Sequence, residues 1–316
     1  MIITVWLTSK QSACWEITAR QIDYLRQKMP GAEVLHARSK DEFLDMLPDT
    51  EMAICWFFQQ EWFSRAPGLR YIVTPAAGLD YFSIDPPPQV EVHNSNYQGP
   101  LIAETVLGMM LSHARGISYG ADLMRNAEWP RREVTGRMTR LQGSHLVILG
   151  FGNIGGWIAR MAKPFGVRIT GIKRHPGKNL PASFSEEDRV VAVDKLHEVL
   201  PDADHLVLVL PRSEETDGII GRRELSLLRP HCGFYNVGRG NAVDEEALTN
   251  VLDRGELHAA YLDVFAEEPL PMDSPLRRLP NCYLMPHSSA ASPDYLDLFI
   301  DDLAARFSGR LMERER

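Results

Sequence analysis

Short apolar runs alternate with amphipathic stretches along the first hundred residues of the chain. Five runs have the length and the β-branched or aromatic content of strands: IITVWL, EVLHA, EMAICWFF, RYIVTPA and VEVHNSN. Between them, apolar residues recur at helical spacing in ACWEITARQIDYLRQKM and SKDEFLDML. This alternation of strands and helices predicts a parallel, doubly wound sheet.

The pattern changes after Tyr97. A long helix is predicted from Pro100 onward, over PLIAETVLGMMLSHARGISYGADLMRNAEW, and a second alternating series follows it. The strands of that series are predicted in GSHLVILG, VRITGIK, HLVLVLP, CGFYNVG, LHAAYLDV and CYLMPH. We expect a last helix, SPDYLDLFIDDLAARF, to return to the first domain. The sequence therefore predicts two α/β domains, formed by residues 1–99 with 289–316 and by residues 100–288.

Composition and charge narrow the class of protein. A chain of 316 residues can bury two cores, and a net charge of −8 argues against nucleic acid as the main partner. No stretch of 18 apolar residues occurs, so no membrane span is expected. The start, MIITVWLTSK, lacks a basic leader and predicts a first strand, not a signal peptide. We expect a cytoplasmic protein without a metal site, whose four dispersed cysteines are buried free thiols: Cys14, Cys55, Cys232 and Cys282.

A glycine-rich stretch follows the strand HLVIL and has the spacing of a dinucleotide-binding loop, Gly150-x-Gly152-x-x-Gly155. The first glycine permits a tight turn, the second lets the backbone approach a pyrophosphate, and the third lets helix and strand pack closely. The N–H groups of Asn153 and Ile154 would face the phosphates at the start of the helix. The alternative is a glycine-rich turn in an unrelated sheet.

The next strand lacks the acid that usually follows such a loop by ~20 residues and holds the ribose of NAD. We expect that strand to end at Ile172, and the residues after it are Lys173 and Arg174. Two cations would attract the 2′-phosphate of NADP, which a carboxylate would repel. The sequence therefore predicts NADP. NAD stays open, because a solvated loop that tolerates NAD would have the same composition.

Polar residues follow three later apolar strands, in NVGRGNAVDEEAL, AAYLDVFAEEPLP and NCYLMPHSSAAS. Ligands bind at the carboxyl ends of strands in a doubly wound sheet, so the candidates are Arg239, Asp263, Glu268 and His287. Arginine suits a carboxylate, histidine suits a proton transfer, and a neighbouring glutamate favours the protonated imidazole. By sequence alone Glu267 is as near as Glu268. Each residue taken singly also fits a surface ion pair or an ordinary turn.

Together these motifs resemble the D-2-hydroxyacid dehydrogenases, in particular their glyoxylate/hydroxypyruvate reductase branch. The resemblance runs from PAAGLD to PHSSA and includes AETVLGMML, LPRSEETDGIIGRREL and SPLRRLPN in matching order. It implies a Rossmann nucleotide domain and a flavodoxin-like substrate domain. It also implies that Arg239 holds the substrate, that Glu268 and His287 form the proton-donating pair, and that Asp263 contacts the nicotinamide carboxamide.

The resemblance extends to the substrate and to the assembly. It implies that backbone amides around Ala77 and Gly78 receive the substrate carboxylate and that Trp56 lines a pocket for a small acid. For Trp56, ordinary core and dimer packing fits CWFFQQEWF equally well. The helical segment after Pro100 resembles the dimer arm of the family, so a homodimer is expected.

The function implied is an oxidoreductase that reduces a small 2-keto acid, such as glyoxylate or hydroxypyruvate, with NADPH in a cleft between the domains. One alternative is an NAD-dependent D-2-hydroxyacid dehydrogenase working in oxidation. Another is a dinucleotide-sensing binding protein without turnover, which the intact Arg, Glu and His set disfavours. Because the chain ends soon after its last predicted helix, no regulatory domain like that of some phosphoglycerate dehydrogenases is expected.

Overall fold

The computed structural model describes residues 1–80, 82–126, 129–177, 181 and 183–312; at 126 and 308–312 the backbone alone is described. The chain divides into two compact units, Met1–Gln98 with Ala291–Arg316 and Gly99–Ala290. Each unit is built on one sheet, and every strand pair in both sheets is parallel, as the sequence predicts.

The first unit contains all five strands predicted for it: β1 (Ile2–Trp6), β2 (Glu33–His36), β3 (Met52–Cys55), β4 (Tyr71–Val73) and β5 (Glu91–His93). Their order in the sheet is β2-β1-β3-β4-β5, the order of a flavodoxin-like fold. Its α-helices are α1 (Ala19–Lys28), α2 (Lys40–Met46) and the C-terminal helix, α10 in chain order (Tyr295–Met312).

Local chemistry explains where these helices begin and what holds the last one. Thr18 caps α1 through a reciprocal pair of hydrogen bonds with Gln21. Helix α10 packs against α1, where Asp297 binds Arg20 at 2.7 Å. The chain therefore returns after Ala290 to complete the unit that contains its N-terminus.

The second unit contains seven strands: β6 (His145–Leu149), β7 (Arg168–Lys173), β8 (Arg189–Ala192), β9 (His205–Leu208), β10 (Gly233–Asn236), β11 (Ala259–Leu262) and β12 (Cys282–Leu284). Their order is β12-β11-β10-β9-β6-β7-β8. The chain lays strands to one side of β6 and then, from β9 on, to the other side. The boundary between β6 and β9 is therefore the topological switch point, where open α/β sheets bind ligands.

The helices of the second unit are α3 (Gly99–Arg115), α4 (Ile117–Asn126), α5 (Arg131–Arg137), α6 (Asn153–Ala162), α7 (Leu196–Val199), α8 (Arg222–Ser226) and α9 (Glu245–Asp253). The single long helix expected after Pro100 is wrong, because Gly116 takes a left-handed conformation (φ +61°) and separates α3 from α4. None of the helices described combines the length and apolarity needed to cross a membrane.

Three further details differ from the sequence prediction. Strand β8 was not predicted; it is a short edge strand with no fully buried residue, so it lacks a clear apolar run. Strand β7 continues to Lys173 instead of ending at Ile172, so Arg174 is the first residue beyond it. The four cysteines are free thiols, but Cys14 is half-buried while the other three are buried.

Candidate active site

The glycine loop joins β6 to α6, and two of its glycines are dictated by geometry. Gly150 has φ +102°, and its N–H and that of Phe151 both donate to the carbonyl oxygen of Ile172 at 2.9 Å. At Gly155 a Cβ would lie 2.6 Å from the carbonyl oxygen of Gly150. At Gly152, by contrast, a Cβ would meet no atom of the described residues within 4 Å, so this backbone has room for a ligand.

The start of α6 offers hydrogen-bond donors to that open space. Gly152 is the N-cap residue and carries no side chain that could accept from the first turn. The first N–H groups of a helix have no partner within the helix, and its N-terminal end carries a partial positive charge. The amides of Asn153 and Ile154 lie in this first turn, so the loop fits the pyrophosphate of a dinucleotide.

Two bases stand at the end of β7, and the structure adds an acid that the sequence prediction missed. Lys173 is the last residue of the strand, beside Ala192 of β8, and is half-buried. Arg174 is exposed and forms an ion pair with Glu215, which lies in the turn after β9. No sequence motif links Glu215 to Arg174, because Glu215 follows β9 whereas Arg174 follows β7. A further basic residue near this loop, Lys178, lies outside the described residues.

Arg239 follows β10 and is fixed by its own loop. The side-chain amide of Asn236 donates to the carbonyl oxygen of Arg239 at 3.0 Å, and its oxygen accepts from the N–H of Gly238 at 3.1 Å. A guanidinium N–H of the half-buried Arg239 donates to the carbonyl oxygen of Gly238 at 2.9 Å. At Gly240 a Cβ would collide with the carbonyl group of Phe265, so the loops after β10 and β11 are in close contact.

His287 follows β12 and pairs with Glu268, whereas sequence spacing left Glu267 equally near. The imidazole Nδ1–H donates to Glu268 Oε2 at 2.7 Å, and each side chain is 34% exposed. The N–H of Phe265 donates to the other carboxylate oxygen at 3.0 Å. Burial alone would raise the pKa of Glu268, but the hydrogen bonds from His287 and Phe265, with the charge of Arg239, lower it. The pair therefore combines an ionised carboxylate with an imidazole whose Nδ1 keeps its proton.

The turn that carries His287 is held by Asp263. His287 has φ +51°, a conformation that side-chain-bearing residues rarely adopt, and its N–H donates to the carbonyl oxygen of Asp263 at 2.8 Å. The fully buried carboxylate of Asp263 accepts from the N–H groups of Ser288 at 2.7 Å and Ser289 at 2.9 Å. Asp263 thus positions the His287 turn. Its predicted contact with the cofactor stays a prediction.

Glu245 is a second residue that the sequence prediction missed. It lies in the first turn of α9, and its Oε1 accepts from the N–H of Ala266 at 2.6 Å. Burial raises the pKa of Glu245, and the nearby charge of Glu268 raises it further. Glu245 therefore holds the segment between Phe265 and Glu268. Acids are common in first turns for reasons of helix stability, which is why DEEAL gave no distinct signal.

In the first unit, the loop after β4 turns its carbonyl groups inward. The carbonyl oxygens of residues 74–77 accept hydrogen bonds from Asn94, Ser95, Gln98 and Tyr295. The N–H groups of Ala77 and Gly78 donate to no atom of the described residues. Two adjacent amides are therefore available to an anion.

Trp56 lies just beyond β3 in the same unit and is half-buried. Its indole N–H donates to the carbonyl oxygen of Trp15 at 3.1 Å, and its ring lies 6.4 Å from that of Tyr295. The neighbouring Phe58 and Trp62 are each only 3% exposed and belong to the core. The aromatic stretch thus divides into core residues and the more accessible Trp56.

Residues 107–289 match the family model described as "D-isomer specific 2-hydroxyacid dehydrogenase, NAD binding domain". The chain belongs to this family. The resemblance found in the sequence is thereby confirmed, and the chain is an oxidoreductase of the D-2-hydroxyacid dehydrogenase class.

Two curated relatives and one solved structure show how closely this dehydrogenase chain resembles known members. Glyoxylate/hydroxypyruvate reductase B of Pectobacterium atrosepticum is 33% identical over 262 residues, which are 80% of this chain and 81% of the relative. D-3-phosphoglycerate dehydrogenase of Methanocaldococcus jannaschii is 30% identical over 274 residues, covering 85% of this chain but only 51% of that longer protein. The structure of the NADPH-dependent glyoxylate/hydroxypyruvate reductase of Sinorhizobium meliloti, in complex with NADP and sulfate, has a TM-score of 0.79 at 25% identity and covers 98% of this chain and 95% of that one.

Within this dehydrogenase the second unit thus brings the candidate residues to one edge of its sheet. Arg239, Asp263 and His287 follow the neighbouring strands β10, β11 and β12, and Glu268 reaches His287 from the loop after β11. Among the described residues, no three His, Cys, Asp or Glu side chains gather in an arrangement that could hold a metal ion.

Proposed function

We propose that this dehydrogenase reduces a small 2-keto acid, such as glyoxylate or hydroxypyruvate, to the D-2-hydroxy acid with NADPH. The observation that carries the proposal is the hydrogen bond of 2.7 Å between His287 and Glu268, with Arg239 on the same sheet edge. Reduction of a keto acid needs an anchor for its carboxylate and a proton for its oxygen, and these residues supply both. The reductases of Pectobacterium and Sinorhizobium support the choice of substrate.

When bound, the nicotinamide ring supplies the hydride. Arg239 presents a planar fork of N–H groups that holds the carboxylate and polarises the keto oxygen. His287 gives the proton of its Nε2 to that oxygen as it becomes an alkoxide. Glu268 accepts from Nδ1–H throughout, so it stabilises the imidazolium before the transfer and selects one tautomer after it.

The first unit is proposed as the substrate domain and the second as the nucleotide domain, with boundaries near residues 99 and 289. The amides of Ala77 and Gly78, which donate to no described atom, support the substrate role, since adjacent N–H groups are suited to a carboxylate. Trp56, half-buried and held by the carbonyl of Trp15, is proposed to limit the size of the acid. The open glycine loop supports the nucleotide role.

NADP is proposed as the preferred cofactor. Its support is the pair of cations, Lys173 and Arg174, at the end of β7, where an NAD-specific loop would carry an acid. The complex of the Sinorhizobium reductase with NADP agrees with this choice. The carboxylate of Glu215, which pairs with Arg174, acts against this preference.

A panel of 2-keto acids, each assayed with NADPH and with NADH, tests the proposal. We expect the highest kcat/KM for glyoxylate or hydroxypyruvate with NADPH, and lower values as the acid lengthens. A higher kcat/KM with NADH would favour the NAD-dependent alternative. Tight dinucleotide binding without turnover of any acid would instead favour the sensing protein.

A homodimer is proposed from the second unit. Ile117, Met124 and Trp129 lie in the segment after α3 and are 59%, 50% and 69% exposed. The same unit contains a groove of about 310 Å³, lined in part by Met109, Ser118 and Tyr283. Apolar surface of this kind is typical of protein interfaces. The mass in solution tests this: we expect twice the chain mass, and a monomer would contradict it.

A cytoplasmic location is proposed on the basis of the free cysteine thiols. Cys55, Cys232 and Cys282 are buried and free, and burial raises the pKa of each thiol. A higher thiol pKa leaves less of the reactive thiolate, and free thiols suit a reducing compartment. Fractionation of cells that express the native chain tests the location, and recovery outside the cytoplasm would contradict it.

A further inference from the structure

The ion pair between Arg174 and Glu215 crosses the switch point of the nucleotide-binding sheet. Arg174 follows β7 and Glu215 follows β9, and these two strands flank β6 on either side. All three strands are parallel, so both residues stand at the carboxyl edge. The glycine loop begins at the same edge, at the end of β6. The pair therefore lies beside the place where the adenosine end of a dinucleotide would bind.

The turn that carries Glu215 is held in place by its neighbours. Thr216 is buried, and its hydroxyl donates to the carbonyl oxygen of Pro211 at 2.8 Å while accepting from the N–H of Ser213 at 3.0 Å. Two residues later, the N–H of Gly218 donates to the carbonyl oxygen of Asn241 at 2.8 Å. The backbone at Glu215 is thus anchored on both sides, and its carboxylate is presented towards Arg174.

This ion pair affects the binding of the cofactor more than the stability of the fold. Both side chains are more than 60% exposed, and exposed ion pairs add little to the free energy of unfolding. Glu215 does, however, neutralise the guanidinium that is proposed to hold a 2′-phosphate. A phosphate must displace this carboxylate and is repelled by it, whereas a ribose hydroxyl can donate a hydrogen bond to it.

We propose that Glu215 discriminates between the two cofactors: it competes with the 2′-phosphate of NADPH for Arg174 and accepts from the ribose hydroxyls of NADH. NAD-specific loops carry an acid at the end of the strand that corresponds to β7. Glu215, which follows β9, would take over the role of that acid in this chain. It narrows the preference for NADPH that Lys173 and Arg174 confer. This inference rests on the proposed use of NADP.

Calorimetric titration of the cofactor-free protein tests the inference without turnover. The probes are adenosine 2′,5′-bisphosphate, which carries the 2′-phosphate, and 5′-AMP, which lacks it. The test variant is Glu215→Gln. The matched control is Glu214→Gln, which removes the same charge one residue earlier from an exposed side chain that forms no ion pair with a described residue. A third variant, Arg174→Ala, tests the proposed phosphate contact itself.

We expect Glu215→Gln to tighten binding of the bisphosphate by about tenfold, the scale of one charge-assisted contact discounted for exposure. Binding of 5′-AMP should stay equal or weaken, and Glu214→Gln should change either probe by at most about twofold. The ratio of kcat/KM for NADPH over NADH should rise in parallel.

Two outcomes would overturn the inference, and they are distinguishable. If Arg174→Ala weakens the bisphosphate but Glu215→Gln behaves like Glu214→Gln, the role of Glu215 alone is refuted. If the unmodified protein binds both probes equally and Arg174→Ala changes neither, the proposed use of NADP fails, and the inference about Glu215 fails with it.

Discussion

Replacement of Glu268 by glutamine should slow the reduction of the keto acid. Glutamine keeps the size and one acceptor oxygen but removes the charge that lies 2.7 Å from the Nδ1 of His287. A hydrogen bond to a charged group contributes about 1.5–3 kcal/mol. Because both side chains are one-third exposed, we take the lower end, about 1.5 kcal/mol, which corresponds to roughly a tenfold change in rate.

The direction of the effect follows from the charge. The carboxylate holds Nδ1–H by a charge-assisted hydrogen bond and so fixes the ring with Nε2 as the proton donor, whereas the amide of glutamine can form only a weaker, uncharged bond. At fixed pH, kcat/KM for glyoxylate with NADPH should therefore fall by about tenfold. Glu267→Gln is the control, since it removes a neighbouring charge that is not hydrogen-bonded to His287. A Glu268→Gln variant that keeps the unmodified kcat/KM, or an equal fall in the control, would refute the reasoning.

Two further predictions concern Arg239 and His205. Arg239→Lys keeps the charge but loses the fork, so we expect KM for the keto acid to rise and kcat to fall, by ~10-fold or more in kcat/KM; an unchanged KM across several acids would be inconsistent with an anchor. Burial lowers the pKa of His205 from its ordinary value of 6.5 to about 3. Below pH 6.5 the unfolded chain binds a proton at this histidine that the folded chain does not, so the folded state loses stability as pH falls. Near pH 5 the loss is about 2 kcal/mol. The free energy of unfolding of His205→Asn, measured in urea, should therefore depend less on pH than that of the unmodified protein. An unchanged dependence on pH would contradict this.

The strands were predictable where burial makes the signal strong. In β6 and β9 every residue is buried, and each stands in the sequence as a continuous apolar run. Strand β8 is a sheet edge with an exposed first residue and none fully buried, so its four residues resemble a loop. The break at Gly116 was not predicted, because a single glycine within a helical pattern is often tolerated.

The candidate site divides in the same way between local and distant contacts. The glycine loop is contiguous in sequence, so its spacing carried the prediction. The pairings of Glu268 with His287 and of Glu215 with Arg174 join loops from different strand ends. Several acids lie in such a loop, and sheet order and close contacts, such as that at Gly240, decide which of them faces the partner. The spacing of residues along the sequence does not contain this information.

A single-turnover measurement on His287→Ala tests the central claim most directly. The unmodified protein and the variant are each loaded with NADPH and mixed with excess glyoxylate, and the loss of the reduced cofactor is followed in time. We predict that the variant binds NADPH with nearly unchanged affinity but reduces glyoxylate ~100-fold or more slowly, the scale of a lost general acid. A variant that kept most of the rate would contradict the claim that His287 delivers the proton.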